Sequence, residues 1–301
     1  MLQLTKQEIQ TRLKQYRWYH TIEVAEGVFT ESHVPHFKEM WDFNLTRLAS
    51  IDFRGKRVLD IGCRDGLFSF LAEKRGAREV IGIDNDLSNG AVEFLIPLFR
   101  SGVSMREMNL YDLSPATLGK FDIILFFGVL YHLRYPFWGL KRIIDCLADR
   151  GSLLIESGML VAKHLQNREI LYCPVERSPY SEPSSCTFFN ELGLAVTLRS
   201  LNVKIEEVAT FLPEGMASTI IQTKQVPEAL AWCRQRARIF LKPFRRKPQP
   251  SMDIARQFLI CRKDETLQQS DVFVYPGAAF AKHWATSYWD STHTEHSRKK
   301  S

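Results

Sequence analysis

The sequence VLDIGCRDG, residues 58–66, has the form of a buried strand that runs into a glycine turn. Residues 58–61 are apolar except for Asp60, and apolar residues at helical spacing follow the turn directly. Glycine suits such a turn because it tolerates a positive φ and lets a ligand lie against the backbone. We therefore expect a strand, a turn and a helix, with Gly62 and Gly66 marking where a cofactor approaches.

Further strands are predicted to end at the same edge of a parallel sheet. Residues 80–83 form an apolar run that ends at Asp84, about 20 residues past the glycine turn, where a carboxylate accepts hydrogen bonds from the hydroxyls of a ribose. Asp60 would repel a pyrophosphate but suits the ammonium of a methionine moiety, which argues against a dinucleotide. Residues 105–108 are predicted to form a third strand, and the apolar run 121–127 a fourth. The polar residues after the first of them offer a place for an adenine.

The run FDIILFFGVLYHLRYP, residues 121–136, is the most specific motif in the chain. With the glycine turn it resembles the family of the bacterial tRNA wobble-uridine carboxymethyltransferase and its methyltransferase relatives. The resemblance extends roughly over residues 18–263 and is strongest over residues 58–156. It implies a Rossmann-like class I methyltransferase fold of the α/β class: a mostly parallel seven-stranded sheet with helices on both faces and a helical N-terminal cap.

The resemblance also implies a set of cofactor contacts at matching positions. The implied residues are Gly62, Asp84, Asn85, Asp86, Leu110, Tyr111, Phe127, Tyr131 and Arg256. The form of the glycine turn adds Asp60 and Gly66 to the predicted cofactor contacts.

Departures from the family pattern decide which S-adenosyl cofactor we expect. The tRNA enzyme holds the extra carboxylate of a carboxylated cofactor with a lysine, a tyrosine and an arginine. Tyr131 and Arg256 match, but the lysine position falls near His20, and a second family lysine is Met40 here. Losing cationic partners for a buried carboxylate would cost several kcal/mol. We therefore expect S-adenosylmethionine, with carboxy-S-adenosylmethionine the less favoured alternative. Arg64 replaces a usual glycine, which is tolerated if the backbone there does not need positive φ.

Composition is that of an enzyme with one substantial core. The chain has 301 residues, 45% of them hydrophobic, and its six cysteines lack a C-x-x-C pair, so neither a zinc site nor a disulfide framework is indicated. No stretch approaches the ~20 apolar residues of a membrane span, and the amino end lacks the apolar block of a signal peptide. We predict a cytoplasmic protein without a metal site.

Three regions are predicted along the chain. Residues 1–50 form a mostly helical cap whose aromatic residues either cover the substrate or pack the cap onto the core. Residues 51–263 form the methyltransferase domain, with a basic insertion near residues 225–250, and residues 264–301 form a tail that we expect to be partly disordered. Within the domain we expect a long loop over residues 162–185, a helix over residues 188–200 and a last strand over residues 256–261.

The basic insertion contains the segment RQRARIFLKPFRRK, which starts at Arg234 and ends at Lys247, with seven basic residues and no acidic one. Apolar residues interleave with the charges, a pattern that suits a phosphate backbone, such as that of tRNA, or an anionic membrane surface. A solvated basic insertion with a few apolar anchors explains the pattern as well.

His132 and Tyr131 are the candidate catalytic residues. Methyl transfer needs alignment of donor and acceptor in a site closed to water, and an oxygen nucleophile usually needs its proton removed, which a histidine can do. Alternatively, His132 is a histidine at the start of a helix that hydrogen-bonds the backbone at the strand end, and Tyr131 is a tyrosine of the core. Glu156, which ends the fifth strand, either contacts substrate or is solvated.

Three functions therefore remain open at this stage. They are methylation of an oxygen or nitrogen of a small-molecule acceptor, methylation or carboxymethylation of the tRNA wobble uridine, and non-catalytic binding by a degenerate cofactor site.

Overall fold

The computed structural model describes residues 4–174, 184–211 and 253–264. The basic segment 234–247 and the tail lie outside these ranges. The strands are β1 (Glu23–Ala25), β2 (Val28–Phe29), β3 (Arg57–Ile61), β4 (Glu79–Asp84), β5 (Ser104–Glu107), β6 (Phe121–Phe127), β7 (Leu147–Leu160), β8 (Leu171–Tyr172), β9 (Phe188–Phe189), β10 (Val203–Thr210) and β11 (Ile254–Lys263). The helices are α1 (Lys6–Leu13), α2 (Lys38–Leu48), α3 (Leu67–Lys74), α4 (Ile96–Phe99) with a π-helical turn before it (Ala91–Leu95), α5 (Pro115–Leu118), α6 (Pro136–Asp145) and α7 (Glu191–Arg199).

Seven strands form one sheet in the order β10-β11-β7-β6-β3-β4-β5. Neighbouring strands among β7, β6, β3, β4 and β5 are parallel. β11 runs antiparallel to both of its neighbours, β7 and β10. Apolar side chains of α6 and α7 pack on one face of the sheet, and those of α2 and α3 pack on the other. The prediction of a mostly parallel seven-stranded α/β sheet with helices on both faces is confirmed.

The strand order reverses between β3 and β6. The chain proceeds from β3 outward to β4 and β5, then returns to pair β6 with the other side of β3. In open α/β sheets the loops diverge at such a switch point and leave a crevice outside the carboxyl ends of the strands. The turn after β3 and the loop after β6 border that crevice, so the topology places both sequence motifs together.

The N-terminal cap is less helical than predicted. Between α1 and α2 lies the two-stranded antiparallel hairpin β1-β2, whose turn contains Gly27 with φ +71°. Trp18 anchors this region: it is buried, and its indole N–H donates to the carbonyl oxygen of Leu13 at 2.9 Å. Its ring lies against Gly90, where an added Cβ would come within 2.5 Å of it. The cap therefore packs directly onto the segment that follows β4.

Two predicted boundaries are wrong, one because of a local helix cap and one because of pairing with a distant strand. The helix predicted over residues 188–200 begins only at Glu191, because Phe188 and Phe189 form β9 and the Asn190 side chain caps the helix by accepting the N–H of Gly193 at 2.9 Å. The fifth strand, predicted over residues 152–156, extends to Leu160 because β11 pairs with it throughout. No helix in the described ranges is long and apolar enough to cross a membrane.

Candidate active site

A cavity of about 840 Å³ opens at the carboxyl edge of the sheet, beneath the cap. Its wall combines the loops after β3, β4, β5 and β6 with residues of the cap, of β7 and of β11. The residues predicted for cofactor binding or catalysis that line it are Asp60, Gly62, Asp84, Asn85, Asp86, Leu110, Tyr111, Phe127, His132 and Arg256. Gly66 and Tyr131 are not among the lining residues.

The glycine turn is shaped by its contacts with other loops. Gly62 has φ +77°, its N–H donates to the carbonyl oxygen of Ile83 at 2.8 Å, and a Cβ there would collide with the side chain of Val129. Gly66 has φ +83°, and a Cβ there would collide with the side chain of Met105. Gly66 does not line the cavity, so its predicted role in the approach of a cofactor stays a prediction, while its positive φ and its contact with Met105 explain the glycine.

Arg64 adopts the left-handed conformation that the missing glycine would have supplied, with φ +47°. The expectation that this position does not need positive φ is therefore wrong. The strain is balanced by bonds at the mouth of the cavity: the guanidinium donates to the carbonyl oxygen of Asp86 at 2.8 Å and pairs with its carboxylate. The turn keeps the glycine-type backbone despite its arginine.

Asp84 ends β4 as predicted for a ribose ligand. Its carboxylate oxygens accept the backbone N–H of Arg64 at 3.0 Å and of Asp86 at 2.9 Å. These bonds fix the carboxylate at the cavity wall while each oxygen retains a lone pair. Burial raises the pKa of Asp84.

Asp60 lines the cavity from the end of β3 and is 2% exposed. Its carboxylate accepts one hydrogen bond, from the Ser69 hydroxyl at 2.6 Å. Burial raises the pKa of Asp60 to about 7, because the ionised form is poorly compensated there. A cation beside this carboxylate would relieve that cost, so the site fits the ammonium of an S-adenosyl cofactor.

The loop after β5 forms a semi-rigid wall where an adenine is expected. Asn109 accepts the backbone N–H of Tyr111 at 3.0 Å, and the Tyr111 hydroxyl accepts the backbone N–H of Tyr135 at 3.1 Å. The two tyrosine rings meet edge to face with centroids 6.1 Å apart. Leu110 and Tyr111 thus present a fixed surface to the cavity.

Tyr131 lies behind the cavity wall. Its buried ring stacks on Phe188 at 6.1 Å, and the guanidinium of Arg256 lies 4.8 Å from the ring centroid. These groups pack on the ring, and a role of the Tyr131 hydroxyl at the cofactor or the acceptor stays a prediction. Tyr131 packs against Arg256, which does line the cavity.

Arg256 and Glu156 form a buried, two-pronged ion pair across β11 and β7. Nε and one terminal nitrogen of the guanidinium each lie 2.5 Å from a carboxylate oxygen. The Glu156 side chain is 2% exposed and that of Arg256 14%. Glu156 therefore lies within β7, lines the cavity and is not solvated, which excludes one of the two alternatives left open by the sequence.

His132 lines the cavity from a short 3₁₀ turn, Leu130–His132, and its ring centroid lies 4.1 Å from that of Tyr131. Helix α6 begins only at Pro136, so His132 does not start a helix. Its position at the wall is compatible with the predicted role of general base.

Sequence reasoning missed His33 and Asn44 of the cavity wall, included Tyr19 and Trp41 only among the aromatic residues of the cap, and considered His20 and Met40 only as positions without a family lysine. Met40, Trp41 and Asn44 share one face of α2, which their spacing of three and four residues could have revealed. Burial, and secondarily Arg64, lowers the pKa of His20 to about 3, so its imidazole is neutral. His20, near which one family lysine position falls, and Met40, at the other, thus line the cavity without a positive charge.

The chain is similar to known methyltransferases in sequence and in fold. A family model described as "Methyltransferase domain" matches residues 34–208, more than half of the chain. Curated relatives include the tRNA U34 carboxymethyltransferase of Methylococcus capsulatus, 32% identical over 161 residues (51% of this chain and 47% of the relative), and that of Pseudomonas putida, 32% identical over 132 residues (40% of each). The chain spans less than half the length of these relatives. Among solved structures, the N-terminal domain of EvdMO1 in the presence of SAH and D-fucose aligns with TM-score 0.56 and 17% identity, over 86% of this chain and 97% of that one.

Proposed function

The chain belongs to this methyltransferase family, whose cofactor is S-adenosylmethionine, and we propose that it transfers the methyl group to an oxygen or nitrogen of a small-molecule acceptor. The observation that carries the proposal is the single cavity that joins the cofactor wall of the sheet edge to a second wall made by the cap, β7 and β11. A volume of about 840 Å³ lies within the range of pockets that enclose whole small ligands.

Residues of the sheet edge would hold the cofactor. When bound, S-adenosylmethionine supplies a methyl group on a positively charged sulfur. Asp60 would compensate its ammonium, Asp84 would accept bonds from its ribose, and Leu110 and Tyr111 would flank its adenine. Because Asp84 is fixed by two backbone bonds and Asp60 by one hydroxyl, little side-chain freedom is lost on binding.

We assign to His132, which lines the cavity, the role of accepting a proton from the acceptor. General base catalysis of this kind contributes roughly 100-fold to 10,000-fold to a rate. The Glu156–Arg256 pair orients polar groups of the acceptor from the opposite wall, and the aromatic residues of the cap exclude water.

The second candidate function is modification of a tRNA wobble uridine with a carboxylated cofactor. The curated relatives favour it, as does the basic segment 234–247, which lies outside the described residues. The cavity favours the plain cofactor, because His20 and Met40 supply no cation for an extra carboxylate.

Mass spectrometry of small molecules released from freshly purified protein tests the choice of cofactor. We expect S-adenosylmethionine or S-adenosylhomocysteine. The carboxylated form would overturn the proposal in favour of the tRNA function, and failure to bind any S-adenosyl ligand would support a degenerate site.

Formation of S-adenosylhomocysteine with a panel of small acceptors then tests the substrate class. D-fucose belongs in that panel because it is present with EvdMO1. Turnover with unmodified tRNA, weakening steeply with salt, would favour the second candidate instead.

A further inference from the structure

Asp65 is a buried carboxylate of the glycine turn to which the proposed function gives no role. It is 1% exposed and is not among the residues that line the cavity. Its Oδ2 accepts the backbone N–H of Tyr19 at 2.5 Å and the backbone N–H of His20 at 2.7 Å. Burial raises the pKa of Asp65, while these N–H groups favour its ionised form. Because an ionised acceptor makes strong hydrogen bonds, this carboxylate attaches the cap firmly to the turn.

The two residues that Asp65 holds carry much of the cap side of the cavity. Tyr19 and His20 both line it. The ring of Tyr19 lies 5.6 Å from that of Trp41 and 5.9 Å from that of His33, measured between centroids. Trp41 and His33 line the cavity as well. The position of the Tyr19 backbone therefore helps to set where four lining side chains lie.

Further hydrogen bonds extend the attachment to the next segment of the cap. The Ser32 hydroxyl donates to the carbonyl oxygen of Tyr19 at 2.5 Å. The carbonyl oxygen of Trp18 accepts the backbone N–H of His33 at 3.0 Å and lies 2.6 Å from Nδ1 of the same residue. Residues 32–33 are thus bonded to residues 18–19, beside the N–H groups that Asp65 binds.

The same turn is bonded to the residue predicted as the ribose ligand. The backbone N–H of Arg64, which directly precedes Asp65, donates to Oδ2 of Asp84 at 3.0 Å. Three of the five residues of the turn, Gly62, Arg64 and Gly66, have positive φ, so the turn has a specific backbone conformation. The proposed cofactor wall and the cap are therefore bonded to adjacent residues of one short segment.

We propose that Asp65 is a positioning residue that couples the two sides of the cavity, so that binding of the S-adenosyl cofactor at Asp84 orders the cap through the glycine turn. The inference rests on the proposed function, because it takes the sheet edge as the cofactor site. Coupling between two sites is reciprocal, so loosening the cap at Asp65 lowers the affinity for the cofactor. The methyl donor then binds before the acceptor, because its binding completes the wall that the acceptor meets.

Hydrogen exchange measured by mass spectrometry tests the coupling on the full chain. In the unaltered protein, S-adenosylhomocysteine should slow exchange of the amides of residues 18–24 about fivefold or more. Asp65→Ala should abolish most of this slowing and should lower the affinity for S-adenosylhomocysteine, measured by calorimetric titration, about fivefold or more. Asp65→Asn keeps an oxygen that can accept both N–H groups, but without the charge, so both effects should be intermediate.

Asn190→Ala is the matched control for the loss of a buried polar side chain. The Asn190 side-chain oxygen also accepts two backbone N–H groups, those of Ile170 at 3.0 Å and Gly193 at 2.9 Å, and Asn190 is not among the lining residues. This variant should have a lower melting temperature, while its affinity for S-adenosylhomocysteine and the slowing at residues 18–24 should equal those of the unaltered protein.

A purely structural role of Asp65 would make Asp65→Ala behave like this control, and that result would overturn the inference. Bound S-adenosylhomocysteine that leaves exchange of residues 18–24 unchanged in the unaltered protein would also overturn it. If Asp65→Ala does not fold, Asp65→Asn decides, and equality with the unaltered protein in both measurements would count against the coupling. A complete lack of S-adenosylhomocysteine binding by the unaltered protein would instead refute the proposed function, and the coupling with it.

Discussion

Replacing Asp60 by asparagine should remove a pH dependence that this one carboxyl gives to both stability and cofactor binding. Burial raises its pKa from 3.8 to about 7. Each pKa unit corresponds to about 1.36 kcal/mol, so keeping the group ionised in the cofactor-free fold costs about 4 kcal/mol.

The sign follows from which state binds the proton. Below pH 3.8 the carboxyl is protonated in both the folded and the unfolded chain and has no effect. Between about pH 4 and 7 the unfolded chain loses this proton first, so the free energy of unfolding falls as pH rises, and above pH 7 the full cost is present. Asp60→Asn should therefore stabilise the cofactor-free protein, relative to the unaltered protein, by more at pH 8 than at pH 5. The amide oxygen of the asparagine can still accept the Ser69 hydroxyl.

Cofactor affinity should change in the opposite direction. An ammonium beside Asp60 stabilises the carboxylate and lowers its pKa in the complex, so affinity for S-adenosylhomocysteine should rise with pH by up to about tenfold per unit and level off above pH 7. Asp60→Asn should lower the affinity at pH 8 and flatten this profile.

Calorimetric titration with S-adenosylhomocysteine between pH 5.5 and 8, with denaturant unfolding at each pH, measures both effects. Asp42→Asn is the matched control, because Asp42 lies on the cap with its side chain 53% exposed and should leave both profiles unchanged. An unaltered protein whose affinity does not vary over this range, or an Asp60→Asn variant with the same slope, would refute the assignment.

The other expected outcomes concern the base, the ion pair and the seat of the cap. His132→Asn should lower kcat about 100-fold or more, measured as formation of S-adenosylhomocysteine, with its binding unchanged; an unaltered kcat would exclude His132 as the base. Glu156→Gln should lower the free energy of unfolding by about 3–5 kcal/mol, because it leaves the Arg256 guanidinium buried without its carboxylate, and adding Arg256→Met should recover part of the loss in a double-mutant cycle. Gly90→Ala should lower the free energy of unfolding by about 1–3 kcal/mol, measured with denaturant, and shift the tryptophan fluorescence, because the added methyl group meets the Trp18 ring. Adding Trp18→Phe should relieve part of this clash, whereas it would not relieve an effect on the backbone.

The parts of the fold that follow from local pattern could be predicted from the sequence. β3, the turn after it and β6 were located because apolar runs and glycines report directly on burial and backbone conformation. Gly66 and Tyr131 were assigned to the cofactor because they stand beside the right motifs. Whether Gly66 faces a ligand or Met105, and whether Tyr131 faces the cavity or Phe188, depends on contacts between distant segments that neighbouring residues do not encode.

The structure of the cap could be predicted only in part. Its aromatic residues were noticed, but the hairpin β1-β2 was not, because a three-residue and a two-residue strand carry no periodic signal. That His20 and Asn44 line the cavity becomes visible only when the cap is seated over β3 and β6, because the cavity wall is a property of the assembled structure.

The two walls of the cavity differ in how they depend on the chain. The proposed cofactor wall is built from consecutive strand ends of one sheet edge, which lie within the residues that the family model matches. The proposed acceptor wall combines Glu156 of β7 and Arg256 of β11 with residues of the cap, from different parts of the chain. At Met40 a neutral side chain stands where the resemblance implies a lysine, and this bears on whether the cofactor carries an extra carboxylate. Likeness to tRNA enzymes over less than half their length therefore does not fix the acceptor, because one fold serves many acceptors.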